Sequence, residues 1–274
     1  MFEPINYTGK LFKNYLLAGN HPSKIRIQSL LGKYFFNNGI HLKNFEGTMF
    51  SLDANDWITR TILKNGGYED SSIKLAKELL KDGGLFVDVG ANFGLYTCIL
   101  SENKSVTVYA VEPNYMIIPA LLNNVKINNR TNVTVLNTAL SDGFKLLNLD
   151  LPDTNNLGRA SFKTDNGQSF SIMSCTLNYL FESYSWKTID LLKIDIEGNE
   201  FDVVKFFLFE TYPVKNILLE FSDMGSLSFV EMQRFFADKG FETRDVHGQL
   251  LDAGMSKLPE DNLWLRNTKF PINS

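Results

Sequence analysis

Leu85–Leu100, LFVDVGANFGLYTCIL, is the stretch on which the fold turns. Leu85–Val89 is a short apolar run with Asp88 as its only charge, the composition of a parallel strand buried on both faces. Gly90, Asn92 and Gly94 follow, and beyond them Leu95, Tyr96, Ile99 and Leu100 recur at a spacing that gives a helix one apolar face. Strand, glycine turn and helix together bring bare backbone amides and a positive helix end up to a ligand. Glycine matters at the turn because a side chain there would hold the ligand off the backbone.

Thr107–Val111, TVYAV, reads as a second apolar strand that ends in Glu112-Pro113. Asp88 and Glu112 lie 24 positions apart, close to the ~20 expected for an acid that holds ribose hydroxyls. The glycine pattern departs from the dinucleotide fingerprint. The run is D-x-G-x-N-x-G, with Asn92 where a second glycine would admit a pyrophosphate. An acid two residues before the first glycine suits a ligand with a cationic ammonium and no phosphate, a description that S-adenosylmethionine (SAM) meets.

Four blocks, VDVGANFGLYT, VYAVEPN, LNTALSD and LLKIDIEGNE, resemble the FkbM family of SAM-dependent methyltransferases, in the expected order over Phe86–Phe201. The resemblance implies an α/β, Rossmann-like class I methyltransferase fold with a central, mostly parallel seven-stranded sheet and helices on both faces. An N-terminal extension over residues 1–68 precedes a methyltransferase domain over 69–274, which carries an insertion at 143–178. The donor site built from the motif is Asp88, Gly90, Asn92, Phe93, Gly94, Glu112 and Pro113. The resemblance adds Tyr68 and Glu69, in a G-x-Y/F-E element before a helix, and places Ala139 and Leu140 against the adenine ring. Asp142 either accepts the adenine amino hydrogens or starts a turn with Gly143.

At 274 residues the chain holds one large domain, or a domain plus an extension, with ample core. A net charge of −4 argues against a nucleic-acid enzyme, which would show a basic face. Cys98 and Cys175 are too few for a disulfide framework and point to a reducing compartment. No run approaches the ~18 apolar residues of a membrane span, and MFEPINYTGK lacks the order of a signal peptide. The expectation is a cytoplasmic protein with a small-molecule or glycan acceptor and no nucleic-acid partner.

Ser23 caps a helix over Lys24–Phe36 whose broad apolar face serves core packing, a homo-oligomer contact or a lid. A short strand at Thr48–Leu52 and a helix at Trp57–Leu63 follow, where Asp56, Trp57 and Arg60 are candidates to face a substrate. The pattern continues with helices at Ser71–Lys81 and Ile117–Asn128 and a third strand at Val133–Leu136. Residues 143–178 break the βαβ rhythm with turn-rich, alternating runs, read as a β-hairpin over the active site. Leu177-Asn178 stands where family members often have Leu-Asp, which removes a carboxylate.

Ile189–Ile196, IDLLKIDI, is the fourth strand, and Lys193 and Asp195 project to the same side of the sheet. A lysine inside an apolar central strand costs several kcal/mol unless it meets a carboxylate. The adjacent strand, Asn216–Phe221, supplies Glu220. Phe229–Lys239 is a helix, and Phe241–Val246 and Leu263–Arg266 are the last two strands, with His247 in the loop between them. The general base is sought first at Asp195, then at Glu197 and Glu220, with His247 as a rival. Asp195, Glu197 and Glu220 could instead hold magnesium, and Asp195 also borders the donor. The expected reaction is O-methylation of a sugar, glycan or related hydroxyl. The alternatives are a nicotinamide-dependent oxidoreductase and a non-catalytic SAM-binding partner protein.

Overall fold

The central strands read in the sequence pair into one sheet in a computed structural model that describes residues 40–53, 58–59, 61–62, 67–150, 169–196, 198–221, 228–252 and 262–271. The chain begins there with β1 (Ile40–Phe45), β2 (Thr48–Asp53), α1 (Asp70–Leu79), β3 (Gly84–Val89), α2 (Leu95–Leu100) and β4 (Val106–Val111). It continues through α3 (Ile118–Ile127), β5 (Val133–Leu136), β6 (Ala139–Leu140), β7 (Leu146–Asp150), β8 (Ser169–Cys175), α4 (Leu177–Ser183) and β9 (Ile189–Ile194). The last elements are α5 (Glu200–Val204), β10 (Val214–Leu219), α6 (Phe229–Asp238), β11 (Phe241–Arg244) and β12 (Leu263–Asn267).

Seven strands form the main sheet in the order β11-β12-β10-β9-β3-β4-β5. β12 runs antiparallel to both neighbours, and the remaining pairs are parallel. The chain winds outward from β3 through β4 to β5 and then returns to the other side of β3 as β9. A crevice therefore opens between β3 and β9 at the carboxyl ends of the strands, the switch point where ligands bind in open α/β sheets.

Alternation along the central strands divides the core. Phe86, Val108, Leu191 and Leu218 pack beneath α1 and α2, while Val87, Leu192, Ile194 and Ile217 face α4, α5 and α6. At the opposite end of the sheet Asp190 accepts the Leu85 N–H at 2.7 Å and pairs with Lys215 at 2.7 Å. This latch ties β3, β9 and β10 in register.

The insertion is the expected hairpin: β7 and β8 are antiparallel, with Leu146 opposite Met173 and Leu149 opposite Phe170. β8 also pairs with β6 in a small three-stranded sheet. Asn178 sits on α4 and does not line the crevice. Its amide donates to Phe206 O at 3.0 Å and its carbonyl accepts the Leu208 N–H at 3.1 Å. An aspartate there could not make both bonds, so a structural clasp accounts for the departure from Leu-Asp.

Within the extension the described residues 58–59 and 61–62 are helical, inside the expected helix at Trp57–Leu63, and the expected short strand gains a partner. Thr48–Asp53 pairs with a second strand, β1, across a turn whose central residues Glu46 and Gly47 both have positive φ, 51° and 81°. Helix α3 then covers the outer edge of β2 with side chains in place of a strand. Asn124 accepts the Ser51 N–H at 2.8 Å, while Asn128 accepts the Met49 N–H at 2.9 Å and donates to Met49 O at 2.6 Å. Fully buried Asn124 also donates to Phe93 O at 2.9 Å, inside the glycine turn. The expected helix over Lys24–Phe36 and the candidates Asp56, Trp57 and Arg60 lie outside the described residues.

Candidate active site

The crevice is a cleft of about 870 Å³, part of it open to solvent, at the carboxyl ends of β3, β4, β9 and β10. Its lining joins Tyr68 and Glu69 before α1 to the glycine turn, Glu112–Asn114 and Ile117, Leu149 of the hairpin, and Lys193, Asp195 and Glu220.

Gly90 and Gly94 have φ of 83° and 90°, and Asn92 sits at 52° in the same left-handed region, which asparagine tolerates. A Cβ on Gly90 would lie 1.8 Å from Asp195 O, because β9 ends directly against the turn. The amides of this turn are not bare, contrary to the expectation. Gly90 and Ala91 both donate to Val111 O, Asn92 to Glu112, Phe93 to the Asn92 side chain and Gly94 to Ala91 O. The turn is thus folded on the end of β4, with no amide held out for a phosphate.

Strand parity assembles the polar cluster. Asp88 lies opposite Lys193 in the β3–β9 register, and Lys193 lies opposite Leu218, two residues before Glu220. All three polar residues therefore project toward α1 and α2. Lys193 is 3% exposed, and its ammonium is 2.7 Å from Asp195 Oδ2 and 4.8 Å from the centre of the Tyr96 ring. Tyr96 donates its hydroxyl to Glu69 at 2.7 Å, and Thr97 donates to Asp88 at 2.6 Å.

Burial opposes the charge on Lys193, but Asp195, Glu69 and Asp88 more than offset it and hold the amine protonated. Burial likewise works against an ionised Asp195, and the ammonium of Lys193 and a hydrogen bond with Glu220 hold it below the usual carboxylate range. Burial pushes Asp88 up, opposed by Lys193 and Thr97. Tyr68 is pushed far above its ordinary range by burial and then by the carboxylates of Glu69, Asp195 and Glu220.

Glu112 takes two backbone amides, Asn92 N–H on one oxygen and Asn114 N–H on the other, both at 2.8 Å. Burial still pushes its carboxyl up to about 7, against those two bonds.

Of the residues singled out from sequence, Glu69, Asp88, Gly90, Asn92, Phe93, Glu112, Pro113, Lys193, Asp195 and Glu220 line one cleft. Gly94 does not line it, and a side chain there would strike Leu121 at 2.5 Å. Ala139 and Leu140 are buried in β6 against β8 rather than against the cleft. Asp142 is engaged by Lys145 at 2.5 Å and Lys205 at 3.0 Å, and these contacts pull its carboxyl well below the usual range. His247 lies exposed in a turn that Asp245 closes by accepting the His247 and Gln249 amides, and it is not among the residues that line the cleft. Glu197 lies outside the described residues.

Tyr96, Thr97, Asn114 and Leu149 were not anticipated. Tyr96 and Thr97 stand in the quoted helix, where an apolar face masks their hydroxyls. Among the described residues no group of three or more His, Cys, Asp or Glu is placed to hold a metal ion. Lys193 already occupies one oxygen of Asp195 with an ammonium, so the described donors do not support that metal.

A doubly wound sheet with one reversed strand, a glycine turn at its switch point and an acid closing the next strand define a class I SAM-dependent methyltransferase. The chain belongs to the FkbM methyltransferase family: the model of the Methyltransferase FkbM domain matches residues 88–243, more than half its length.

Solved structures with a related fold include a TehB-like SAM-dependent methyltransferase from Corynebacterium glutamicum, 10% identical with a TM-score of 0.43, covering 76% of this chain and 91% of that one. A magnesium protoporphyrin IX methyltransferase from Synechocystis PCC 6803, solved with bound SAM, is 11% identical with a TM-score of 0.42 and 94% coverage of both chains. Those values say nothing about this chain's acceptor. No curated protein matches the sequence at a significant level. No helix among the described residues is long and apolar enough to cross a membrane.

Proposed function

We propose that the protein transfers the methyl group of SAM to a hydroxyl of a sugar, glycan or related small-molecule acceptor. The observation that supports this cofactor best is the charge of the cleft. Among the described lining residues the carboxyl groups of Glu69, Asp88, Glu112, Asp195 and Glu220 face one cation, Lys193; Asp195 is ionised, and a cationic ligand favours release of the protons that burial retains on Asp88 and Glu112. SAM carries a sulfonium and an ammonium against one carboxylate, so it suits an acidic wall. A pyrophosphate cofactor would be repelled there and would find the amides of Gly90–Gly94 already engaged, which removes support from the nicotinamide alternative.

Each oxygen of Glu112 has a lone pair beyond its amide bond and would accept a ribose hydroxyl. Glu69 and Asp88 would face the cationic end, while Pro113, Ile117 and Leu149 offer the apolar wall for the adenine. The donor supplies an electrophilic methyl when bound, so alignment of the two reactants, worth ~7–11 kcal/mol, is the main task of the protein. Asp195 is ionised at neutral pH and takes the proton of the acceptor hydroxyl. Lys193 stays protonated throughout and holds Asp195 in place. The free, buried thiols Cys98 and Cys175 support placing the protein in the cytoplasm.

Asp195→Asn is expected to slow transfer by ~10²–10⁴-fold, the range for loss of a general base, and to change SAM affinity in calorimetry far less than that. An unchanged rate on the true acceptor would remove Asp195 from that role. The acceptor class is tested by incubating the enzyme with isotopically labelled SAM and a glycan panel and following the label by mass spectrometry. Label appearing only on non-carbohydrate acceptors would overturn the sugar reading.

Glu112 predicts a pH dependence. Ribose hydroxyls and a nearby cation both favour the carboxylate, so donor binding must expel the proton held below pH about 7. Affinity should rise as pH increases toward that value and level off above it. Glu112→Gln should flatten the profile and weaken binding by ~10–100-fold, the loss of charged hydrogen bonds. A parallel profile in the variant would assign the titration elsewhere.

A further inference from the structure

The outer face of the β7–β8 hairpin carries an apolar patch that the donor site does not use. Leu146 pairs with Met173 across the ladder, and Phe144 lies in the bend just before β7. Phe144 meets Tyr179 of α4 edge to face, with ring centroids 4.9 Å apart. The bonds from Asn178 to Phe206 and Leu208 set those two beside the same helix. These six side chains are 46% to 64% exposed.

A buried aromatic covers ~150–250 Å² and a Leu or Met somewhat less, so three of each at about half exposure amount to roughly 500–600 Å². That is the upper end of what a monomer shows as its largest patch. Homodimer interfaces are ~65% apolar, so such a patch corresponds to up to roughly 900 Å² per copy. A stable interface needs ~800 Å² per partner.

The rim indicates what covers it. Asp142 pairs with Lys145 and Lys205, and Lys205 pairs with Asp202 at 3.0 Å, which leaves adjacent charges of both signs and no excess of either. A second copy turned by a two-fold axis meets such a rim without net repulsion. An anionic bilayer would instead call for a basic surplus. We infer that the outer face of the hairpin is a two-fold interface between two copies of this chain. Leu149, on the inner face of the same strand, lines the donor cleft, so association also braces that wall.

Light scattering across a wide range of concentration should give twice the 31.1 kDa of the chain at the high end. Leu146→Glu and Phe206→Glu change exposed positions and should each give the single-chain mass with an unchanged melting temperature. A wild type that stays at the single-chain mass overturns the inference. So does a dimer that survives both substitutions, which would place the contact on another face such as the segment before residue 40. Binding of a monomeric wild type to anionic vesicles, abolished by the same substitutions, would also overturn it.

Discussion

Gly90→Ala should destabilise the protein by more than ~4 kcal/mol, a loss reserved for a few severe mechanisms, and thermal unfolding should register it as a fall of roughly 10 °C or more. Two costs combine. The residue has φ of 83°, and its new methyl would sit 1.8 Å from Asp195 O, an atom of backbone that cannot rotate aside. Relief requires β9 to part from β3 at the point where Lys193 and Asp88 face each other. SAM binding should therefore be lost along with stability. Gly143→Ala is the matched control, since nothing lies within 4 Å of a Cβ there and its φ is not positive. That variant should melt with the wild type, and equal melting of Gly90→Ala would show that β3 and β9 do not meet as described.

Lys193→Met should cost up to ~3–5 kcal/mol, because it removes the ammonium that faces fully buried Asp88 and pairs with partly exposed Asp195. Its dependence on pH separates this from a simple packing defect. In the wild type Asp195 has a depressed pKa, so its contribution is present above the unfolded carboxylate value and fades as pH falls through the folded one. Without the ammonium, burial alone acts on both acids and raises them. A raised acid binds more protons folded than unfolded, so stability falls as pH rises above the unfolded value near ~4. The deficit of the variant should be small in mild acid and largest above neutrality. Chemical denaturation at several pH values checks this, and a deficit that does not vary with pH would mean that Asp88 and Asp195 find other partners.

The parts of the site that obey a period could be read before any coordinates. Two-residue alternation puts Lys193 and Asp195 on one side and brings Glu220 to them from the next strand. Spacing from Asp88 places Glu112 at the end of β4. What escaped depends on partners far apart in sequence. The amides of Gly90, Ala91 and Asn92 are taken by Val111 and Glu112, and no local pattern announces that. Ala139 and Leu140 do not line the cleft but pair as β6 with β8, a strand some 35 residues further along the chain. The β1–β2 hairpin was half missed because its turn is Glu46-Gly47, without the Asn-Gly or Asp-Gly that usually marks positive φ at both positions. Asn178 reads as a lost carboxylate until Phe206 and Leu208 are seen on either side of its amide.

Asn124 holds Ser51 with its oxygen and Phe93 with its nitrogen. One amide group thus mortises the β1–β2 ribbon, which precedes the shared family region, to the turn that defines the cofactor pocket. Trimming the protein to the boundaries of its family would unseat that joint, leave a buried carbonyl without its mate and loosen the loop around Asn92. A chain that keeps β1 and β2 is consequently expected to hold that turn more firmly than one that begins at residue 88, where the family match starts.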